Sequence, residues 1–172
     1  MNPAGIATLD VRSVVEETNR VAGLLSDGDE SNGEADVIVL LVHEGAATSA
    51  LEDAIGDTAF GDIVTGVSDE VDAIFGGHTH VAYAHQIPVE GWADGLTRPV
   101  VQGGQYGENL AHVAFTVDAA TGEVVESSSA VVPLAGAFAP DAEVQAIVDA
   151  AVEAGAELGA VSLGEITADI TR

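Results

Sequence analysis

Histidine supplies most of the chemistry that this sequence could perform. Three of the five histidines lie in two glycine-containing segments, His43-Glu44-Gly45 and Gly76-Gly77-His78-Thr79-His80. Histidine is the commonest neutral metal ligand, and an adjacent glycine lets the backbone bend sharply enough to aim the ring at an ion. We therefore interpret His43, His78 and His80 as candidate metal ligands. His78 and His80 can point toward one centre if their loop is extended, or they can face two neighbouring ions.

A histidine without a functional role is the simpler interpretation for each of these residues taken alone. We adopt that interpretation for His85 and for His112, which lies in the alternating segment AHVAFTV. Glu44 is a candidate general base or supporting partner for His43, but we prefer to interpret it as a solvated loop carboxylate. The case for a metal thus depends on the three loop histidines as a set.

Other kinds of active site have little support. The chain has no cysteine, which excludes disulfides, thiolate metal sites and a cysteine nucleophile. The serines at 127–129 lie in a predicted strand without a nucleophile-elbow pattern. The segment 103–107 is glycine-rich but joins two predicted strands and opens no helix, so we interpret it as a tight turn near the site rather than a phosphate cradle.

Both histidine segments follow apolar runs, and this placement suggests how they are brought together. Asp36 to Val42 is a continuous aliphatic run that predicts a strand buried on both faces, and Val71 to Phe75 predicts a second strand. Helices are predicted after His43, through Ile55, and over the apolar positions 60–67. In open α/β sheets ligands bind at the carboxyl ends of the strands, where such loops converge.

The rest of the sequence predicts a change from parallel to antiparallel structure. Glycine-rich turns separate four predicted strands, and Pro140 and Asp141 open a predicted amphipathic helix. Near the start we predict a strand from Gly5 to Asp10 and a helix capped by Asp10. The predicted strands of the second half are at 86–89, 98–102, 110–117 and 124–132, with a hairpin loop at 119–122 and a final strand at 165–171. The fold class is therefore α/β.

The charge of the chain limits its partners. Twenty-nine acidic residues stand against four arginines and no lysine, which gives a formal net charge of -25. Nucleic acid is excluded as a partner, because its binding depends on phosphate neutralisation by Lys and Arg. The negative electrostatic field of the chain also repels a phosphorylated small molecule, unless bound cations invert the local potential. No apolar run is long enough to cross a bilayer, and no export signal is visible.

Three segments of the sequence resemble a known family. The segments DVIVLLVHEG, VDAIFGGHTH and PVVQGGQYGENLAHVAFTVDAATGEV are similar, in this order, to the second half of the calcineurin-like metallophosphatase domain of bacterial 5′-nucleotidases. The resemblance implies an α/β/β/α sandwich in which residues 1–138 are the C-terminal half of that domain. Residues 139–172 would then be the helix and first strand that lead into a C-terminal domain.

The resemblance also implies a reaction. In such a site two adjacent divalent metals, Mn²⁺, Zn²⁺ or similar, activate a hydroxide and clamp the phosphoryl oxygens of a nucleotide or other phosphate ester. His43 and His78 match ligands of one metal, and His80 would serve the other. The implied parent protein is extracellular or located in the cell envelope.

The sequence departs from the family in one large respect. The family's Asp-x-His, bridging aspartate and Gly-Asn-His-Glu motifs are absent from these 172 residues. We therefore interpret the chain as a fragment, and we expect weak metal binding and no appreciable phosphatase activity from it alone. Loss of the first half should also expose apolar sheet surface around Val37, Val39 and Leu41, which predicts self-association.

Two other functions compete with this interpretation. One is a non-catalytic, acidic binding or assembly domain that keeps the family fold. The other is a self-sufficient mononuclear hydrolase in which His43, His78 and His80 hold one metal and a water completes the coordination.

Overall fold

The chain divides into two compact units. The structure, a computed structural model, describes residues 8–169. The first unit spans Met1–Ala135 and the second Gly136–Arg172. This division falls three residues before the domain boundary predicted from the sequence. The assignment of the second unit as an interdomain helix and strand remains a prediction.

A four-stranded mixed sheet forms the centre of the first unit. Its strand order is β1-β2-β4-β3, in which β1 (Val39–Leu41), β2 (Ala73–Phe75) and β4 (Thr97–Gly103) run parallel. β3 (Ala82–Pro88) pairs with β4 in antiparallel fashion, with Tyr83 opposite Gln102. The three parallel strands therefore end at the same edge of the sheet.

The predicted burial of the first strand on both faces is wrong. β1 is only three residues long and lies at the edge of the sheet, with Val39 41% and Leu41 75% exposed. An uninterrupted aliphatic run favours a strand with both faces covered, but in this structure only the face of Leu40 packs against the core, and Val39 and Leu41 point to the opposite, uncovered face. The apolar side chains therefore remain exposed.

Helices α1 (Val14–Leu25), α2 (Leu51–Ile55) and α3 (Ala59–Gly66) belong to the same unit. The core contains Phe60, Ile63 and Val64 of α3 together with Ile74 and Val100 of the central strands. Asn19 of α1 donates to the Gly66 carbonyl at 3.0 Å and accepts from the Ser68 N–H at 2.7 Å, which ties α1 to the end of α3.

The start of the chain differs from the prediction. α1 begins after Ser13, whose hydroxyl accepts from the Glu16 N–H, so Ser13 and not Asp10 caps the helix. The strand predicted from Gly5 to Asp10 lies partly outside the described residues, and its described part, residues 8–10, is turn-like. Serine and aspartate cap helices equally well, so local sequence alone did not separate the two positions.

A two-stranded antiparallel sheet, β5 (Asn109–Val117) and β6 (Val124–Pro133), completes the first unit. The loop between these strands contains the predicted hairpin residues 119–122. Gln86 of β3 donates to Ser129 of β6 at 2.8 Å, which links the hairpin to the mixed sheet. Mixed strands first and antiparallel strands after confirm the predicted α/β fold class.

The second unit contains one long helix, α4 (Ala142–Gly159). It begins after Pro140 and Asp141 as predicted, and Asp141 caps it by accepting from the N–H groups of Glu143 and Val144 at 3.0 and 3.1 Å. The strand predicted at 165–171 is not formed over its described part, residues 165–169. Within residues 8–169 we find no helix with the length and apolar character needed to cross a membrane.

Candidate metal centre

Three loops meet at the edge where the parallel strands end. His43 follows β1 after one residue, and the Gly76-Gly77-His78-Thr79-His80 loop follows β2 directly. The turn after β4, which includes Tyr106, leaves the same edge because β4 is parallel to β2. This convergence is the one expected for ligand sites in open α/β sheets.

His43 and His78 form a pair. The Nε2 atom of His43 lies 3.4 Å from the Nδ1 atom of His78, and the two rings meet edge to face with centroids 5.1 Å apart. Both side chains are exposed, so the pair is open to solvent. The structure thus brings together two of the three predicted ligands from separate loops.

His80 points elsewhere. Its ring packs against Tyr106 with centroids 5.8 Å apart. The loop is not extended, so the condition for a common centre of His78 and His80 is not met: these residues have φ angles of 69° and 61°, in the left-handed region. A left-handed residue turns the chain sharply, so side chains two residues apart no longer share a direction.

The spacing of the His43–His78 pair fits two ligands of one ion. Two nitrogens bound at about 2.0–2.1 Å to one tetrahedral metal lie roughly 3.3 Å apart. The same spacing also suits a weak hydrogen bond between one protonated and one free ring nitrogen. In the part of the chain that the structure describes, no group of three or more His, Cys, Asp or Glu side chains is arranged to hold a metal. The ring nitrogens of His43 and His78 therefore fit two of the four ligand positions around one tetrahedral ion.

Glycine allows the two loops to pack this closely. A Cβ atom at Gly45 would collide with the Gln102 and Thr79 side chains and with the Gly77 carbonyl. A Cβ atom at Gly77 would come within 3.4 Å of the His43 ring. The Gly77 N–H donates to the Glu44 carbonyl at 2.9 Å and joins the loops directly. The glycines beside the histidines therefore serve close approach of two backbones.

The remaining sequence candidates occupy other positions. His112 is exposed on β5, whereas His85 on β3 stacks on the Tyr83 ring at a centroid distance of 5.2 Å. Glu44 contributes its backbone carbonyl to the loop contact, and a role for its carboxylate remains a prediction. Segment 103–107 is the turn after β4 and opens no helix, as predicted. The assignment of His43, His78 and His80 as metal ligands also stays a prediction.

Arg98, the arginine of the mixed sheet, is not free to bind a phosphate. Arg98, at the opposite end of β4, is only 2% exposed and donates to the carbonyls of Val71 at 2.6 Å and Ser68 at 2.5 Å. Burial lowers the pKa of Arg98, and the neighbouring Asp72 and Asp69 oppose that shift. Its guanidinium is therefore committed to the structure.

Sequence reasoning missed the hydrogen bonds among three polar residues at the junction of the two loops. These residues are Thr79, Tyr83 and Gln102, and Gln102 is 2% exposed although it carries a polar amide. A glutamine inside the apolar strand PVVQG was the available signal, because a buried amide needs hydrogen-bond partners. Tyr106 was named as part of a turn, but its contact with His80 was not anticipated.

Comparisons with known proteins bear on the fold. The chain is similar to a solved structure, the calcineurin-like phosphoesterase YfkN from Bacillus subtilis, with a TM-score of 0.56 and 23% sequence identity. The similarity covers 87% of this chain and 45% of that chain. The chain has a calcineurin-like phosphoesterase fold. No protein-family model and no curated protein sequence matches it.

The calcineurin-like phosphoesterase fold accounts for the mixed sheet and the antiparallel hairpin after it, and it agrees with the fold that the sequence resemblance implies. The chain spans less than half of the YfkN chain that it matches. At this identity the likeness concerns the fold. The evidence for a reaction and a substrate of this chain therefore lies in the histidine site.

Proposed function

We propose that this chain carries the histidine half of a metal-dependent phosphoester-hydrolysing centre, in a parent protein of the 5′-nucleotidase type. The observation that carries the proposal is the 3.4 Å spacing of the His43 and His78 ring nitrogens at the ends of two parallel strands. The calcineurin-like phosphoesterase fold supports it independently of those residues.

The three loop histidines are metal ligands in this proposal. His43 and His78 donate their ring nitrogens to one divalent ion, and His80 serves a second ion. Bound ions would supply charge neutralisation of the phosphate and an activated water. A further carboxylate and amide half, such as the family's Asp-x-His and Gly-Asn-His-Glu motifs, has to complete the coordination.

The charge of the chain makes cations a requirement for phosphate binding. At a formal net charge of -25, the protein repels a phosphate ester, and its buried Arg98 is bonded to backbone carbonyls. Divalent ions bound at His43 and His78 would reverse the sign of the local potential. The proposal includes nucleotides as substrates and an extracellular or cell-envelope location for the parent, both of which rest on the sequence resemblance.

Metal titration of the purified 172-residue chain tests the proposal. We expect Mn²⁺ and Zn²⁺ to bind weakly, and His78→Ala to weaken binding at least about tenfold because one of two paired ligands is lost. His112→Ala is the matched control, since it removes an exposed histidine from β5. Isothermal titration calorimetry measures the affinities.

Equal affinities of the wild-type and His78→Ala proteins would contradict the proposed metal site. The same preparation, incubated with Mn²⁺ and a nucleoside monophosphate, should release no appreciable phosphate. Release that His78→Ala abolishes would show that these residues are sufficient for catalysis. The requirement for a second half of the site would then be wrong.

A non-catalytic, acidic binding domain is the competing function. It is favoured by one observation, the lack of any three-residue metal-binding group among residues 8–169. A chain with no measurable affinity for Mn²⁺, Zn²⁺ or Co²⁺ would support this alternative. Near-stoichiometric zinc after dialysis would instead support a self-sufficient mononuclear site.

A further inference from the structure

A buried polar network lies directly behind the two histidine loops. Gln102 of β4 and Tyr83 of β3 are 2% and 3% exposed. The Tyr83 hydroxyl donates to Gln102 Oε1 at 3.2 Å, and Gln102 Nε2 donates to Thr79 Oγ1 at 3.0 Å. Thr79 is the residue between His78 and His80. Gln102 is thus connected to the loop that follows β2.

The same network reaches the other loop. The Tyr83 hydroxyl accepts from the Ala46 N–H at 3.3 Å, and Ala46 lies three residues after His43. Burial raises the pKa of Tyr83, partly offset by the bond from Ala46, so the hydroxyl keeps its proton and can donate to Gln102. The bonds therefore run from Ala46 through Tyr83 and Gln102 to Thr79.

Both loops pack on this network without intervening space. A Cβ atom at Gly76 would come within 2.9 Å of the Tyr83 hydroxyl, and one at Gly45 would overlap the Gln102 amide. His78 meanwhile has a φ of 69°, a conformation that is unfavourable for a residue with a side chain and persists only where its surroundings hold it. Thr79, next to His78, is the residue that the network fixes.

We infer that Tyr83, Gln102 and Thr79 are positioning residues whose hydrogen bonds hold His43 and His78 at their 3.4 Å spacing. The Gln102 amide aligns the two loops, and the left-handed turn at His78 depends on the Thr79 hydroxyl. Without that bond the loop can relax toward an extended backbone, which moves the His78 ring away from His43. The arrangement is a property of the metal-free chain, and only its consequence for metal affinity rests on the proposed function.

Substitutions at Thr79 separate the hydrogen bond from the shape of the side chain. Thr79→Val keeps the shape and removes the hydroxyl, whereas Thr79→Ser keeps the hydroxyl. Thr97→Val is the matched control, because the Thr97 hydroxyl also bonds a glutamine, Gln86 at 2.6 Å, away from the histidine loops. In the metal-free proteins we expect the nuclear Overhauser effect between the His43 and His78 rings to disappear in Thr79→Val and to persist in the other two variants.

Metal affinity is the second readout. Loss of a group that supports metal ligands typically weakens binding about 10- to 100-fold, so Thr79→Val should bind Mn²⁺ that much more weakly than Thr79→Ser. If Thr79→Val does not fold, as judged by circular dichroism, Tyr83→Phe removes one hydroxyl of the same network and should also lose the ring-to-ring signal.

An unchanged ring-to-ring signal in a folded Thr79→Val or Tyr83→Phe protein would overturn the inference. A wild-type chain that shows the signal but binds no Mn²⁺ would count against the proposed function and leave the positioning network standing. The positioning network is therefore tested by the ring-to-ring signal, and the proposed function by metal binding.

Discussion

At the residue scale, His85 differs from the exposed loop histidines because its ring is half-buried. It stacks on Tyr83 at an interplanar angle of 16°, and its Nε2 atom is buried without a hydrogen-bond partner in the described residues. Burial lowers the pKa of His85, and the charge of Glu52 on α2 opposes this shift. The folded chain therefore favours the neutral ring.

This preference predicts a loss of stability in acid. The pKa of His85 is lower in the folded chain than its ordinary value of 6.5, so the unfolded chain takes up the proton first as the pH falls. The free energy of unfolding should then decrease as the pH falls below about 6.5, until the folded chain is protonated too. Urea denaturation at several pH values measures the effect.

The variant His85→Phe keeps a ring against Tyr83 and should show a smaller decrease over the same pH range. His112→Phe, at an exposed position on β5, provides the matched control. Identical pH dependence in the wild-type and His85→Phe proteins would rule out His85 as its source.

The histidine loops show how far residue types can be interpreted on their own. Two glycines and two histidines indicated a turn that serves a metal, but the direction of each ring followed from left-handed backbone angles at His78 and His80. Such angles are uncommon outside glycine, so a sequence gives no reason to expect them. In the structure these angles occur beside the Gln102–Thr79 hydrogen bond and the contact of His80 with Tyr106.

At the scale of elements, β1 is an edge strand of the mixed sheet with exposed apolar side chains. Its outer backbone edge is free of strand partners in the described structure, and Leu41 is 75% exposed. An apolar groove of about 480 Å³ lies between α1 and this strand, lined by residues such as Val21 and Val39. Natural edge strands are usually protected by charges, proline or bulges, and β1 has none of these.

The exposed edge predicts self-association of the chain. We expect Leu41→Lys to lower the fraction of dimers and larger species, because a charged side chain on an edge strand opposes pairing with another strand. Light scattering coupled to size-exclusion chromatography measures the distribution. Leu163→Lys is the matched control: it changes the net charge equally at a position that is 99% exposed and outside the sheet.

A monomeric wild-type chain at all accessible concentrations would contradict this prediction. An equal effect of Leu41→Lys and Leu163→Lys would assign any association to the general charge of the protein rather than to β1.

At the scale of the whole molecule, charge is the dominant property. The formal net charge is -25, and the three ion pairs among residues 8–169 all lie on or beside α1, where Arg12 and Arg20 contact Asp10 and Glu17. Most carboxylates therefore repel one another across the surface. Self-repulsion of this kind destabilises the compact state relative to the unfolded chain.

Salt should consequently stabilise the fold. We expect the free energy of unfolding in urea to rise between about 0.01 M and about 0.1 M NaCl, because the Debye length falls from roughly 30 Å to roughly 10 Å. Potassium chloride should act equally if screening is the cause. A free energy of unfolding that does not change with ionic strength would contradict the argument.

The sequence by itself determined the α/β class, the two histidine loops and most element types, although the strands that it predicted at the two ends of the chain are not formed over their described parts. These features depend on local patterns: an aliphatic run, helical spacing, glycine beside histidine. The start of α4 also followed from the sequence, since Pro140 and Asp141 precede an amphipathic segment. Local patterns were less reliable at α1, where Asp10 and Ser13 offered equivalent caps.

Only the tertiary structure decided which residues meet. Whether β1 is central or at an edge depends on which strands lie beside it. The pairing of His43 with His78 depends on the pairing of β1 with β2, which places Val39 opposite Ala73, 34 residues later in the sequence. The buried network of Tyr83, Gln102 and Thr79 arises in the same way. Contacts between residues far apart in sequence carry no local signal, because they follow from the packing of whole elements.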